Sequence, residues 1–306
     1  MNRTTMSYMV ATIVSFAALG ALTMQPTLAM AETQTQFTNT ASNGASTTAS
    51  TGLPSSTGSP SSTGSPSSTG SPSSTGSPSS TASITTNPAC GQVVSGTVTL
   101  TSNLQCNGDG LIAGADHTII NLNGYKLMGP GKDSSKVGIM IPATSDVQVV
   151  GPGSISGFQA GILMTGANHV NVNTLIAQDN QIAMFMTGTR DTTITENILK
   201  GNTIGIAAHS ASSIDAETNI LTGNVLAGMT LVNSFGSTLA MNTIAGSQNG
   251  IFMDPQSHDN IIDSNTALKN VQDMNNANAL PTNINHNDYK SNLCTSSSPS
   301  GLCKGT

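Results

Sequence analysis

The chain has 306 residues, only 8% of them charged, with a formal net charge of −6 and a mean hydropathy of −0.03. Arg3 is the one charged residue among the first 31, so residues 32–306 carry 8 Lys and Arg against 15 Asp and Glu, with Arg190 as their only arginine. A surface so poor in cations cannot neutralise a run of phosphates, which excludes nucleic acid as a partner and argues against anionic lipid surfaces.

Residues 1–31 have the layout of a secretory signal. Arg3 lies in a short polar start, an apolar run extends from Val10 to Leu22, and Ala29-Met30-Ala31 forms an A-x-A cleavage site. The apolar run is too short for the roughly 20 residues that span a bilayer. Cleavage is expected after Ala31, leaving a mature chain with no transmembrane segment, secreted, at the cell surface or periplasmic. Residues 32–87 read as a disordered linker: four PSSTGS hexads and a PSSTAS begin at Pro54, Pro60, Pro66, Pro72 and Pro78. Ser, Thr, Gly and Pro bury too little apolar surface to offset the entropy of ordering them.

Four cysteines then bracket the rest, Cys90 with Cys106 and Cys294 with Cys303. An even count in an exported chain reads as disulfides. Three connectivities exist, and local pairing is expected because the two ends of an elongated domain lie far apart.

Between them one phrase restarts six times, at Gly138, Gly161, Ala183, Gly205, Gly228 and Gly250, with steps of 22 or 23 residues. After each start apolar residues alternate (Ile139/Ile141, Ile162/Met164, Met184/Met186, Met229/Leu231, Ile251/Met253), the period of a strand. A polar turn, a second alternating strand such as Val170-Asn171-Val172, and a short third stretch such as Asn197-Ile198-Leu199 complete the unit. A β-type period near 22 means one solenoid coil per repeat. The expected fold is therefore all-β, a right-handed parallel β-helix of about eight coils over residues 88–270, with residues 271–306 as a C-terminal cap. Asparagines recur in two turn columns, Asn173/Asn197/Asn219/Asn242/Asn265 and Asn180/Asn202/Asn224, continued by Asn249 and Asn270. Asparagine tolerates left-handed backbone and both donates and accepts, so these columns are expected to bond rung to rung.

The coil pattern over residues 90–270, the opening from Cys90-Gly91-Gln92 through Cys106-Asn107-Gly108 to Ile120-Asn121-Leu122-Asn123-Gly124, and the ending Asn292 to Cys303 resemble the NosD-like branch of the pectate-lyase-like β-helix superfamily. That resemblance implies a polysaccharide lyase or hydrolase, a glycan-binding surface protein, or an accessory protein of copper-enzyme maturation, and the fold alone does not choose among them.

Chemistry is expected in the first turn of each coil, where spacing aligns His117, Asp146, His169, Asp191, Ser213, Gly236 and His258. His117, Asp146, His169 and Asp191 are the candidate metal ligands, for calcium or copper, because imidazole and carboxylate on rungs about 4.8 Å apart suit a divalent ion. The insert at residues 124–136 disturbs the register between His117 and Asp146. Asp191 with Arg190 or Glu196 is the candidate catalytic set, since glycosidases use carboxylates about 5–9.5 Å apart; turn and strand positions five apart usually face different ways. The paired aspartates, Gly-His-Gly and Arg-x-Lys of polygalacturonase-like enzymes are absent. Arg190, Asp191 and Phe185 are the candidate glycan contacts. Asp254, Asp259 and Asp263 are expected on solvated faces, and most coil methionines on inward positions where Met fills core space. The leading expectation is a non-catalytic exported module meeting extracellular or envelope polysaccharide, or serving as a scaffold, ahead of a lyase or hydrolase and a copper-binding accessory protein.

Overall fold

The computed structural model describes residues 87–304 except 282 and 285; the expected leader and all of the expected linker but Asn87 lie outside the described residues. The described chain winds as a parallel β-solenoid of three sheets with no helix. The longest sheet has ten strands, from Gln92–Val94 through Leu111–Ala113, Val137–Ile141, Ala160–Thr165, Ile182–Thr187, Ile204–His209, Ala227–Val232, Asn249–Met253 and Gln272–Asn276 to Ser297–Ser298. The second and third sheets have nine strands each, running from Thr97–Thr99 to Asp288–Lys290 and from Leu104–Gln105 to Leu293–Cys294.

The alternation seen in the sequence becomes stacked columns. Ile139, Ile162, Met184, Ile206, Met229, Ile251 and Met274 pair in register from rung to rung and are at most 1% exposed. Each coil thus buries its apolar edge only against its neighbours, which is why a single repeat has no stability of its own. The repeated glycine has a steric cause. A Cβ at Gly161 would sit 2.7 Å from the carbonyl oxygen of Ala183, and one at Gly205 would sit 2.5 Å from that of Gly228.

Asparagine ladders close two turn columns, with corrections to the expected membership. The first runs Asn197, Asn219, Asn242, Asn265, Asn292, each backbone N–H and Nδ2 donating to the next Oδ1 at 2.9–3.1 Å. Asn173 is not in it: the Leu175 N–H supplies the bond to Asn197. The second runs Asn180, Asn202, Asn224; further along Ser247, not Asn249, donates to Asn270.

The ladders do not stop at residue 270. Gln272–Asn276, Asp288–Lys290, Leu293–Cys294 and Ser297–Ser298 add strands to all three sheets, so the segment read as a cap is a further coil. Its repeat escaped the spacing because it is longer: Asn260 bonds Asn287 and Asn265 bonds Asn292 across 27 residues instead of 22 or 23. The insert between Lys126–Met128 and Val137–Ile141 leaves the ladder intact, since the His117 N–H still donates to the Ser145 carbonyl at 3.0 Å. Disulfides join Cys90 to Cys106 and Cys294 to Cys303, the local pairing, one at each end of the solenoid.

Candidate functional site: the edge between the first two sheets

Where the long sheet turns into the second, one residue per coil adopts left-handed backbone. His117, Asp146, His169, Asp191, Ser213, Gly236, Asp259 and His286 all have φ between 50 and 62°. This conformation disfavours β-branched residues and favours Gly, Asn, Asp and His, so polar side chains collect along the edge for a steric reason. Asp259, not His258, occupies the column: the Gly236 N–H donates to the His258 carbonyl at 3.4 Å, the same bond that joins Ser213 to the residue before Gly236. Spacing could not separate two adjacent polar residues; backbone geometry does.

The structure brings the candidate metal residues together only in pairs. His117 Nδ1 lies 3.6 Å from Asp146 Oδ2, and His169 Nε2 lies 3.8 Å from Asp191 Oδ2, all four half-exposed or more. Among the described residues no three of His, Cys, Asp and Glu converge as a metal needs. The cysteines are bonded in disulfides, and Met164, Met184, Met186, Met229 and Met253 are fully buried in the core. The donors among the described residues do not fit a copper centre.

The candidate carboxylates are separated. Arg190 and Asp191 open the strand Arg190–Thr195, whereas Glu196 follows its far end in a different turn with φ 57°. Five residues of strand put them roughly 16 Å apart, too far to act on one bond. Phe185 is not at the edge either. It points from the outer face of the long sheet, in register with Leu163 and Ala207 and in the column that reaches Phe252, and is buried in a second apolar cluster with Leu163, Ile182 and Ile204. Asp254 is buried rather than solvated, accepting from the Asn233 N–H and from the Ser257 N–H and hydroxyl at 2.7–3.0 Å.

Two groups escaped sequence reasoning. Phe235 and His258, on consecutive rungs immediately before the left-handed column, stack with ring centroids 5.4 Å apart and planes within 4°. Phe235 is 47% exposed, and His258 Nδ1 bonds Asp259 Oδ2 at 2.9 Å. Beside them a depression of about 390 Å³ opens between Pro255, His258, Asp259, Leu280 and His286. The second group is Asp215 and Glu217, two residues apart on the strand Ser212–Glu217 and both on its outer face. Burial, the Asp215 charge and a hydrogen bond with Asp215 raise the Glu217 pKa above the usual carboxylate range. An outward i, i+2 pattern in a strand was the available signal for that pair.

No curated protein matches this chain. Among solved structures it is similar to full-length tailspike protein 2 of an Escherichia coli O157:H7 bacteriophage (TM-score 0.48, 13% identity, 66% of this chain and 32% of that one). It is also similar to a mutant of the periplasmic alginate epimerase AlgG (0.46, 11%, 67% and 66%) and to DFA-IIIase from Arthrobacter chlorophenolicus A6 (0.45, 13%, 57% and 47%). The chain spans less than two thirds of each. A family model described as periplasmic copper-binding protein (NosD) matches residues 102–298, and the chain belongs to that family.

Proposed function

We propose that this protein is an exported β-helix module that holds an extracellular or envelope glycan along the edge between its first two sheets, without cleaving it. The observation that carries this reading is the exposed, parallel-stacked Phe235–His258 pair beside the depression at His286. Sugars present an apolar C–H face that packs on flat rings, and polar groups at the rim then fix orientation. A solenoid suits the task because each rung repeats the same backbone, and the left-handed column presents Asp191, Ser213 and Asp259 at regular height beside the rings. The signal-like segment 1–31 and the periplasmic description of the family support export. No helix among the described residues is long and apolar enough to cross a membrane.

The test is binding of the purified protein to neutral and acidic polysaccharides, with mass spectrometry of any products. Retention without fragments, weakened by Phe235→Ala, is the expected result; absence of binding to every glycan would overturn the reading.

The Asp215–Glu217 pair favours a second reading, a polysaccharide lyase or hydrolase. Two carboxyls side by side on one strand face, the Glu217 pKa raised by burial and by its neighbour Asp215, are the arrangement an acid–base pair uses. Fragments released by the wild type and abolished by Glu217→Gln would establish it and displace the non-catalytic reading. Fragments abolished instead by Asp191→Asn would return catalysis to the edge.

A further inference from the structure

The long sheet is apolar on both faces. One face fills the core. On the other, Ile182, Ile204 and Ala227 stack in one outward column and Phe185, Ala207 and Thr230 in the next, in register from rung to rung, and all six are 0% exposed. Every described strand belongs to one of the three sheets wound around the core, so no described strand lies over this outer face. Beyond the described residues the sequence holds one apolar run, Val10–Leu22, which the expected cleavage after Ala31 removes. Residues 32–86 offer only Phe37, Leu53 and Ile84 as large apolar side chains. The mature chain therefore has no apolar segment of its own with which to close the face. A contiguous apolar patch on an exported protein marks a contact surface.

We propose that this face pairs with the same face of a second copy of the chain, the two solenoids running antiparallel about a two-fold axis at the Thr230 rung. From the strand Val137–Ile141 to the strand Gln272–Asn276 neither outward column holds a Lys, Arg, Asp or Glu, although residues 32–306 carry 8 cationic against 15 acidic side chains. Two copies of an acidic chain repel through any charged surface and can approach closely through this one. The size also fits. These seven strands, each five or six residues long, make a face of roughly 29 Å by 17–20 Å at a rung spacing of about 4.8 Å. On the order of 20 side chains point outward from it, as many as one side of a standard interface holds.

The relief of the face is complementary to itself. Ala207 and Phe252 flank Thr230, one rung to either side. An antiparallel two-fold at Thr230 exchanges those positions, so each copy seats its Phe252 over the other's Ala207, a phenyl ring in the hollow above a methyl group. The axis also meets a polar requirement. Thr230 carries a buried hydroxyl without a hydrogen-bond partner. A hydroxyl both donates and accepts, so two of them brought to one axis satisfy each other directly or through one shared water.

The experiment measures the mass of the purified, processed protein by sedimentation equilibrium and light scattering, with its N-terminus read by mass spectrometry. A dimer that dissociates at about 1 µM or below is expected. Ala207→Glu, which puts a carboxylate where the ring sits, should weaken it at least about a hundredfold. Thr230→Cys, a small change that leaves the fold in place, should give a covalent dimer with a short bismaleimide. Thr193→Cys, in register with Asp215 on the outer face of the second sheet, should not, and the native cysteines are all in disulfides. A processed chain that is monomeric at about 100 µM overturns the proposal. A dimer that persists in Ala207→Glu and gives no cross-link at residue 230 overturns it too, since its interface lies elsewhere. A monomer that retains residues 1–31 also overturns it, and gives the face to the run Val10–Leu22.

Discussion

The side-chain oxygen of Asn219 accepts two hydrogen bonds from a single residue on the preceding rung, from the Asn197 backbone N–H and from its Nδ2, both at 3.0 Å. Asn219 in turn donates its own Nδ2 to the Ile194 carbonyl at 2.8 Å and to Asn242 Oδ1 at 3.1 Å. All of these groups are buried. A turn that leaves the ladder of strands orphans its backbone N–H, and the asparagine column restores the missing acceptor inside the fold.

Asn219→Ala should therefore be among the most damaging single substitutions. It leaves the Asn197 N–H without its acceptor, takes from Asn197 Nδ2 one of two acceptors (the Val172 carbonyl remains) and removes the Nδ2 donor from the Ile194 carbonyl, which is expected to cost about 2–4 kcal/mol. Ile198→Ala, one residue beyond Asn197 and 36% exposed, should cost about 1 kcal/mol or less. Urea unfolding of both variants measures the contrast, and equal losses would mean that the ladder adds little beyond packing.

Asp273 gives the fold an acid limit. Its carboxylate is buried; burial alone would raise its pKa, but bonds from the backbone and side chain of Thr295 and of Asn270 bring it below the ordinary value. A lowered folded pKa contributes stability that is present above the unfolded value of 3.8 and is lost as pH falls through the folded one. The urea midpoint should fall with acidification below about pH 4 in the wild type. Asp273→Asn should be less stable at neutral pH, because an amide NH₂ would face the Thr295 donors, and its midpoint should show a shallower acid slope. Identical slopes would assign acid sensitivity to other carboxylates.

Replacing Cys90 and Cys106 together by alanine should cost about 3 kcal/mol, the loop-closure entropy of a 16-residue separation. The Cys294–Cys303 pair, nine residues apart, should cost less. Because each coil touches only its neighbours, the loss should be local. Hydrogen exchange should speed up in the first coil of the former variant while the coils around Ile206 stay protected. A uniform acceleration along the chain would show that the solenoid opens as one unit.

The family's copper-binding description and the donor set of the described residues disagree, and the disagreement can be measured. Copper(II) added to the purified protein should be removed by dialysis against a weak chelator, because exposed His–Asp pairs hold a metal by too few bonds. Retention of one equivalent, lost in His169→Ala, would place a centre on the turn edge and revive the metal reading.

Much of this molecule is legible in its residues alone. The inward columns at Ile162, Met184 and Met229 follow from alternation and a fixed period, both local properties of the chain. The turn edge is legible in outline, since His117, Asp146, His169 and Asp191 do share one column. Spacing errs there by one residue, at His258, where two adjacent polar residues are interchangeable in composition but not in φ; at a later turn it chooses Asn173, whereas Leu175 holds the column position. The last coil is hidden because an insertion lengthens its period to 27 residues, and periodicity is blind to a repeat that changes length.

The solenoid itself is a property of the sequence, because every coil restates the same short-range instruction and stacking only multiplies it. Which side chains meet is settled by the winding of the chain. Phe235 and His258 are 23 residues apart and Arg190 lies 45 residues before Phe235, yet the pitch of the coil places all three along one edge. Asp191 and Glu196, neighbours in sequence, are sent to opposite ends of a strand. In a β-helix the short distances run along the axis, across one coil, so proximity in the chain and proximity in space become nearly independent.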